Sequence, residues 1–222
     1  MSRAALALAA IPLALAACAP QRVRPVVVVE APPPQPIGWR ATASEADQMR
    51  IAGLPQLWTR ALAAVPRRAR TKLLAETKLV DPTAALELPA PPPGPYRCRL
   101  LRFGGRAGFQ TFAPDFCYVD GDDKGVSFTK QTGSNLPGGW LHSDTPTRQV
   151  FLGSLPKPGT TGVPRYGDDP VQDIAGVVER VSPFRWRLVL TRAGKGALLD
   201  VYELVPVPPE VPGATPAVPA KD

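Results

Sequence analysis

The placement of 29 prolines along 222 residues constrains this chain more than any single motif. Proline locks φ at about −65° and has no amide hydrogen, so a dense cluster of it sits neither inside a helix nor inside a central strand. Three clusters divide the chain. Residues 19–37 (APQRVRPVVVVEAPPPQPI) carry six prolines, Pro89 to Pro95 forms a second block, and residues 206–222 carry another six. The stretches left to fold are 38–88 and 96–206, and a hydrophobic fraction of 44% supports a packed core in them. One histidine and three cysteines exclude zinc sites built from several imidazoles and any four-cysteine centre, so no cofactor or metal is expected.

The first 17 residues read as a leader. Met1-Ser-Arg3 is basic, and Ala4 to Ala17 is an uncharged apolar run of 14 residues interrupted by Pro12. A membrane-spanning helix needs about 20 apolar residues, so this run suits the h-region of a secretory signal. It ends in Leu15-Ala16-Ala17-Cys18, which resembles the lipobox of bacterial lipoproteins. That resemblance implies that Cys18 becomes the acylated N-terminus, and two or three acyl chains make such anchoring effectively permanent. Ala19 and Pro20 follow in place of an aspartate, which favours the periplasmic face of the outer membrane over inner-membrane retention. Residues 18–37 then form a polyproline-rich tether, and 207–222 a disordered tail.

Residues 38–88 have helical periodicity. Thr42-Ala-Ser-Glu45 matches a capping box, and Leu54, Leu57, Trp58, Ala61, Leu62 and Val65 recur at three- and four-residue spacing. Pro55 predicts a break after Gly53, and Pro66 the start of a third helix through Val80. That helix carries Arg67, Arg68, Arg70, Lys72 and Lys78 against Glu76. Its first reading is a solvated face packed from beneath by Leu73, Leu74 and Leu79. A second is attraction to anionic lipid headgroups or cell-wall polymer.

After the linker 89–95 the period changes to two. In Phe184 to Thr191, the residues Phe184, Trp186, Leu188 and Leu190 face the core, while Arg185, Arg187, Val189 and Thr191 face water. Similar runs at 96–103, 116–119, 125–131, 139–142, 149–153, 174–181 and 198–205 are separated by turn sequences such as Asp120-Gly-Asp-Asp-Lys-Gly125. Together these predict an α+β protein in which a helical segment precedes an antiparallel meander, closed as a small barrel or folded as a sandwich. Neither a phosphate-binding glycine loop nor a βαβ alternation is present.

With Cys18 assigned to lipid, Cys98 and Cys117 remain as an even pair in an oxidising compartment and are expected to form a disulfide. The candidate chemistry is sparse. Asp168, Asp169 and Asp173 follow Tyr166 in the one long loop of the sheet region, either as a hydrolytic or cation-binding centre or as turn and capping residues. Ser127-Phe-Thr-Lys-Gln-Thr-Gly133 offers polar groups suited to sugar or carboxylate contact but no nucleophile with an evident base. His142 is the lone imidazole.

Trp39-Arg40 leading into a Leu/Trp/Ala helix, Tyr96-Arg-Cys-Arg99, Phe128-Thr-Lys-Gln-Thr-Gly133, Phe151-Leu-Gly153, Tyr166-Gly-Asp-Asp-Pro170 and Pro183-Phe-Arg-Trp-Arg-Leu188 resemble the proteobacterial family catalogued as domain of unknown function 4893, over about residues 38–206. The resemblance implies no activity, ligand or catalytic residue. In outline the chain is also similar to small periplasmic protease inhibitors and to lipocalins, by fold analogy alone. The expected function is that of an envelope-anchored lipoprotein with a binding or structural role. Its partners are the membrane through the lipid and another envelope protein, a cell-wall polymer or a small apolar ligand. Nucleic acid is not expected as a partner. The alternatives are a lipocalin-like carrier, which needs a cavity among Phe128, Trp186 and Tyr202, and a hydrolase using the aspartate loop.

Overall fold

The computed structural model describes residues 38–123, 125–157, 165–192, 194 and 196–208. The expected leader, Cys18, the tether and all but the first two residues of the tail lie outside the described residues. Four short helices come first: α1 (Trp39–Thr42), α2 (Glu45–Ala52), α3 (Leu54–Ala63) and α4 (Arg70–Leu74). Nine strands follow: β1 (Gly94–Gly104), β2 (Gly108–Thr111), β3 (Asp115–Asp122), β4 (Gly125–Lys130), β5 (Gly138–Thr145), β6 (Arg148–Ser154), β7 (Asp173–Ser182), β8 (Arg185–Leu190) and β9 (Ala197–Pro206).

Every pairing is antiparallel, and β9 pairs back onto β1, so the meander closes into a barrel. The sequence reading left barrel and sandwich open, and the β1–β9 ladder from Tyr96↔Pro206 to Gly104↔Ala197 decides for the barrel. β2 and β3 lie end to end along the other edge of β1. Between the pairs Leu101↔Thr111 and Cys98↔Asp115, three steps on β1 face four on its partner, so one extra residue is accommodated around Phe112–Pro114. Pro114, which has no amide to give to a ladder, sits at this irregularity. The barrel wall therefore has eight strand positions.

Large side chains pack inside the barrel. Tyr96, Cys98, Cys117, Val119, Phe128, Phe151, Val178, Trp186, Leu188, Tyr202 and Leu204 are all buried in one cluster. Tyr96 meets Trp186, and Phe128 meets Phe151, edge to face with ring centroids 6.3 and 6.1 Å apart. Glycines make room for these rings: a Cβ on Gly153 would run into the Gly138 carbonyl and the Phe151 ring. The Cys98–Cys117 disulfide joins β1 to β3 inside the barrel. Burial pushes the Tyr96 phenol up to about 12, and its hydroxyl donates to the Pro92 carbonyl at 2.6 Å.

A second core lies outside the barrel, between the helices and one side of the wall. Ile51, Leu54, Trp58, Ala61, Val65 and Leu79 pack on Leu101, Phe103, Val150, Val177, Val189 and Val201. This corrects the expected wet face of β8. Arg187 and Val189 point away from the interior yet are fully buried, because the helical segment covers them. Arg187 is retained there as an ion: it pairs with Glu179 at 2.7 Å, donates to the carbonyls of Lys78, Leu79 and Asp81, and lies 5.3 Å from the Trp58 ring centre. Phe184, expected to face the core, is 76% exposed in the β7–β8 turn.

Three local expectations change in the helical segment. The N-cap of α2 is Ser44, whose hydroxyl accepts from the Asp47 amide, while Thr42 ends α1. The break at Gly53 is present. The third helix is not continuous: 3₁₀ turns at Arg67–Ala69 and Thr77–Val80 flank α4, and Thr77 has φ 51°. Glu76 turns inward at this point to form a two-pronged ion pair with Arg99, which also pairs with Glu203. Leu74, expected beneath the helix, is 73% exposed.

Candidate functional site

The aspartate loop is the first place to look for chemistry, and its carboxylates are occupied with shaping the loop. Asp168 accepts from the Arg165 amide at 2.9 Å, and Asp173 accepts from the Gly167 amide at 2.9 Å. Asp169 accepts from the Val171 amide and the Gln172 side chain, and the Gln172 contact leads the interactions that hold its carboxyl below the usual range. Burial pushes Asp173 up, and the neighbouring Asp47 and Asp169 charges add to that shift. Each carboxylate binds its own backbone or a neighbouring amide, the pattern of Asx turns and caps. Among the described residues, no three metal-ligating side chains converge.

The loop is tied down from the other side. The Tyr166 hydroxyl donates to Asp47 at 2.7 Å and accepts from the Ser44 amide at 2.9 Å, so the N-terminus of α2 anchors the loop. Asp47 itself is 1% exposed and also pairs with Arg50. Held in this way, Arg165 and Tyr166 form one wall of a cleft of about 190 Å³. Ser127, Thr129 and Trp140 form the other.

Strand alternation explains the composition of that second wall. In Ser127 to Lys130, Phe128 and Lys130 turn into the barrel while Ser127 and Thr129 face outward. Lys130 is buried with its ammonium on Asp115 at 2.7 Å and on the Thr132 and Ser134 carbonyls, so it closes one barrel end and is unavailable to an outside ligand. Trp140 lies directly opposite Ser127, and Tyr118 opposite Thr129. Phe116, Tyr118 and Trp140 are 38%, 38% and 39% exposed, which makes the outer face of β3–β5 an aromatic surface bearing hydroxyls. His142 shares the Trp140 side of β5, and burial lowers its pKa.

Sequence reading singled out Ser127 and Thr129 but missed Trp140, Tyr118 and Arg165 as their companions. The available signal was the period-two alternation: Tyr118 and Trp140 stand at outward positions of their strands, where burial cannot account for an aromatic ring. Elsewhere the polar groups pair with one another: Asp144 accepts from the Trp39 indole at 2.8 Å and pairs with Arg148, and Asp200 binds Arg102 through both oxygens.

No curated protein and no solved structure matches the chain. The family model described as Domain of unknown function (DUF4893) matches residues 39–204, from the first helix into the last strand, and the chain belongs to that family.

Proposed function

We propose that this protein is a non-catalytic envelope lipoprotein, anchored through acylated Cys18 at the periplasmic face of the outer membrane, and that it binds a saccharide-bearing cell-wall polymer on the outer face of β3–β5. The observation that carries the binding reading is the cleft itself, where the partly exposed Trp140 stands with Ser127, Thr129, Tyr166 and Arg165. A pyranose has an apolar C–H face suited to an indole and equatorial hydroxyls suited to Ser, Thr and Arg, so the cleft matches both sides of such a ligand. The filled interior argues against a carrier of a small apolar ligand, because Phe128, Trp186 and Tyr202 pack into the barrel core. The bound state of Asp168, Asp169 and Asp173 argues against the hydrolase.

Co-sedimentation with isolated cell-wall sacculi tests the binding reading. Trp140→Ala removes an outward ring and should lower retention at least about fivefold, the effect of losing ~1–3 kcal/mol at a central aromatic contact, with the unfolding midpoint unchanged. Equal retention by the variant, or none by the wild type, refutes it. Metabolic labelling with a fatty acid tests the anchor: Cys18→Ala should abolish the label, and label retained in the variant refutes acylation at that residue.

A further inference from the structure

We infer that a second surface, made by Arg67, Arg68, Arg70 and Arg106 beside the exposed Leu74, docks on an anionic lipid bilayer. It is separate from the β3–β5 cleft and does not depend on the reading of that cleft or on acylation of Cys18.

Charge pairing supplies the first argument. Several cations of the barrel are paired: Arg99 with Glu76 and Glu203, Arg102 with Asp200, Lys130 with Asp115, Arg148 with Asp144, Arg185 with Glu203 and Arg187 with Glu179. The segment from Arg67 to Lys72 instead places four cations within six residues. All four of its cations are exposed, and among the described residues none of them forms an ion pair. The acid next along the chain, Glu76, is 8% exposed and committed to Arg99. Arg68 donates to the Arg106 carbonyl, which brings the exposed β1–β2 turn and its own cation alongside.

Leu74 supplies the second argument and selects the partner. It stands four residues after Arg70 on α4, hence on the same helix face, and is 73% exposed although Ala69 and Leu73 turn inward. A soluble polyphosphate-like chain would satisfy the cations but leave the leucine in water. A bilayer offers phosphates at the level of the guanidinium groups and acyl chains just below them, the pattern of interfacial helices.

The test uses the intact chain carrying Cys18→Ser and Leu74→Cys, with an environment-sensitive apolar label on residue 74 standing in for the leucine. Because the reporter sits on α4, it reads this face and not the apolar leader. With phosphatidylcholine vesicles containing phosphatidylglycerol, the emission should shift to the blue and be quenched by a lipid-borne quencher. High salt should abolish the response, as should omission of the anionic lipid. Arg67→Gln, Arg68→Gln and Arg70→Gln together should weaken the response about a hundredfold, from ~1 kcal/mol per cation near a charged surface, with the circular dichroism unchanged. A label indifferent to anionic vesicles overturns the inference, and so does an equal response to neutral ones. A response to a soluble polyanion without one to vesicles also overturns it and assigns the face to an acidic polymer.

Discussion

Trp186→Ala measures whether the barrel is a packed scaffold or a container. Trp186 is 3% exposed, stacks its edge on Tyr96, and lies opposite Arg180 and Leu204 on the neighbouring strands. Truncating a large aromatic in a filled core costs about 3–5 kcal/mol, of which the edge-to-face contact contributes ~0.5–1.5. One term opposes this. Among the described residues the buried indole N–H has no acceptor, and removing such a donor returns ~1–3 kcal/mol. With central values of ~4 and ~2 kcal/mol the net expectation is a loss of about 2 kcal/mol, read as a lower urea midpoint at constant m with the disulfide intact. Trp186→Phe keeps a ring in place and discards the orphan donor, so it should lie within about 1 kcal/mol of wild type. A Trp186→Ala cost under about 1 kcal/mol, joined to binding of an apolar probe, refutes the filled barrel. Equal damage from Phe and Ala refutes the role given to the unpaired N–H.

Gly153→Ala should be among the most damaging single-methyl changes, at least about 2 kcal/mol by thermal unfolding, because the added carbon meets the Gly138 backbone and the Phe151 ring. Cys98→Ser with Cys117→Ser opens a cross-link between residues 19 apart and should lower stability by about 3 kcal/mol in denaturant titration. Burial holds the folded pKa of His142 below its ordinary ~6.5, so the unfolded chain takes up that proton first. Stability should therefore fall as pH drops below about 6.5, and His142→Asn should flatten that part of the profile.

The sequence by itself determined that helices precede strands, because the change of hydrophobic period from 3.6 to two is a local property. It also brought out the antiparallel meander and the apolar stripe of α3 from spacing, and the Cys98–Cys117 pair once the lipobox resemblance set Cys18 aside. What it could not supply is the partner of an outward face. Arg187 and Val189 look like a solvated edge until the helices are seen to cover them, and Leu74 looks like core until Glu76 turns in to Arg99 and Thr77 breaks the helix. The candidate site divides in the same way. Residues 127–133 were visible as a polar run suited to a ligand, whereas strand register turns Ser127 and Thr129 outward and brings Trp140 beside them, and the loop that Tyr166 ties to α2 adds Arg165. Alternation states which side of a strand a residue takes, but closure of β9 on β1 decides which of the two sides is the inside, and only long-range packing decides which of the outside positions remain in water.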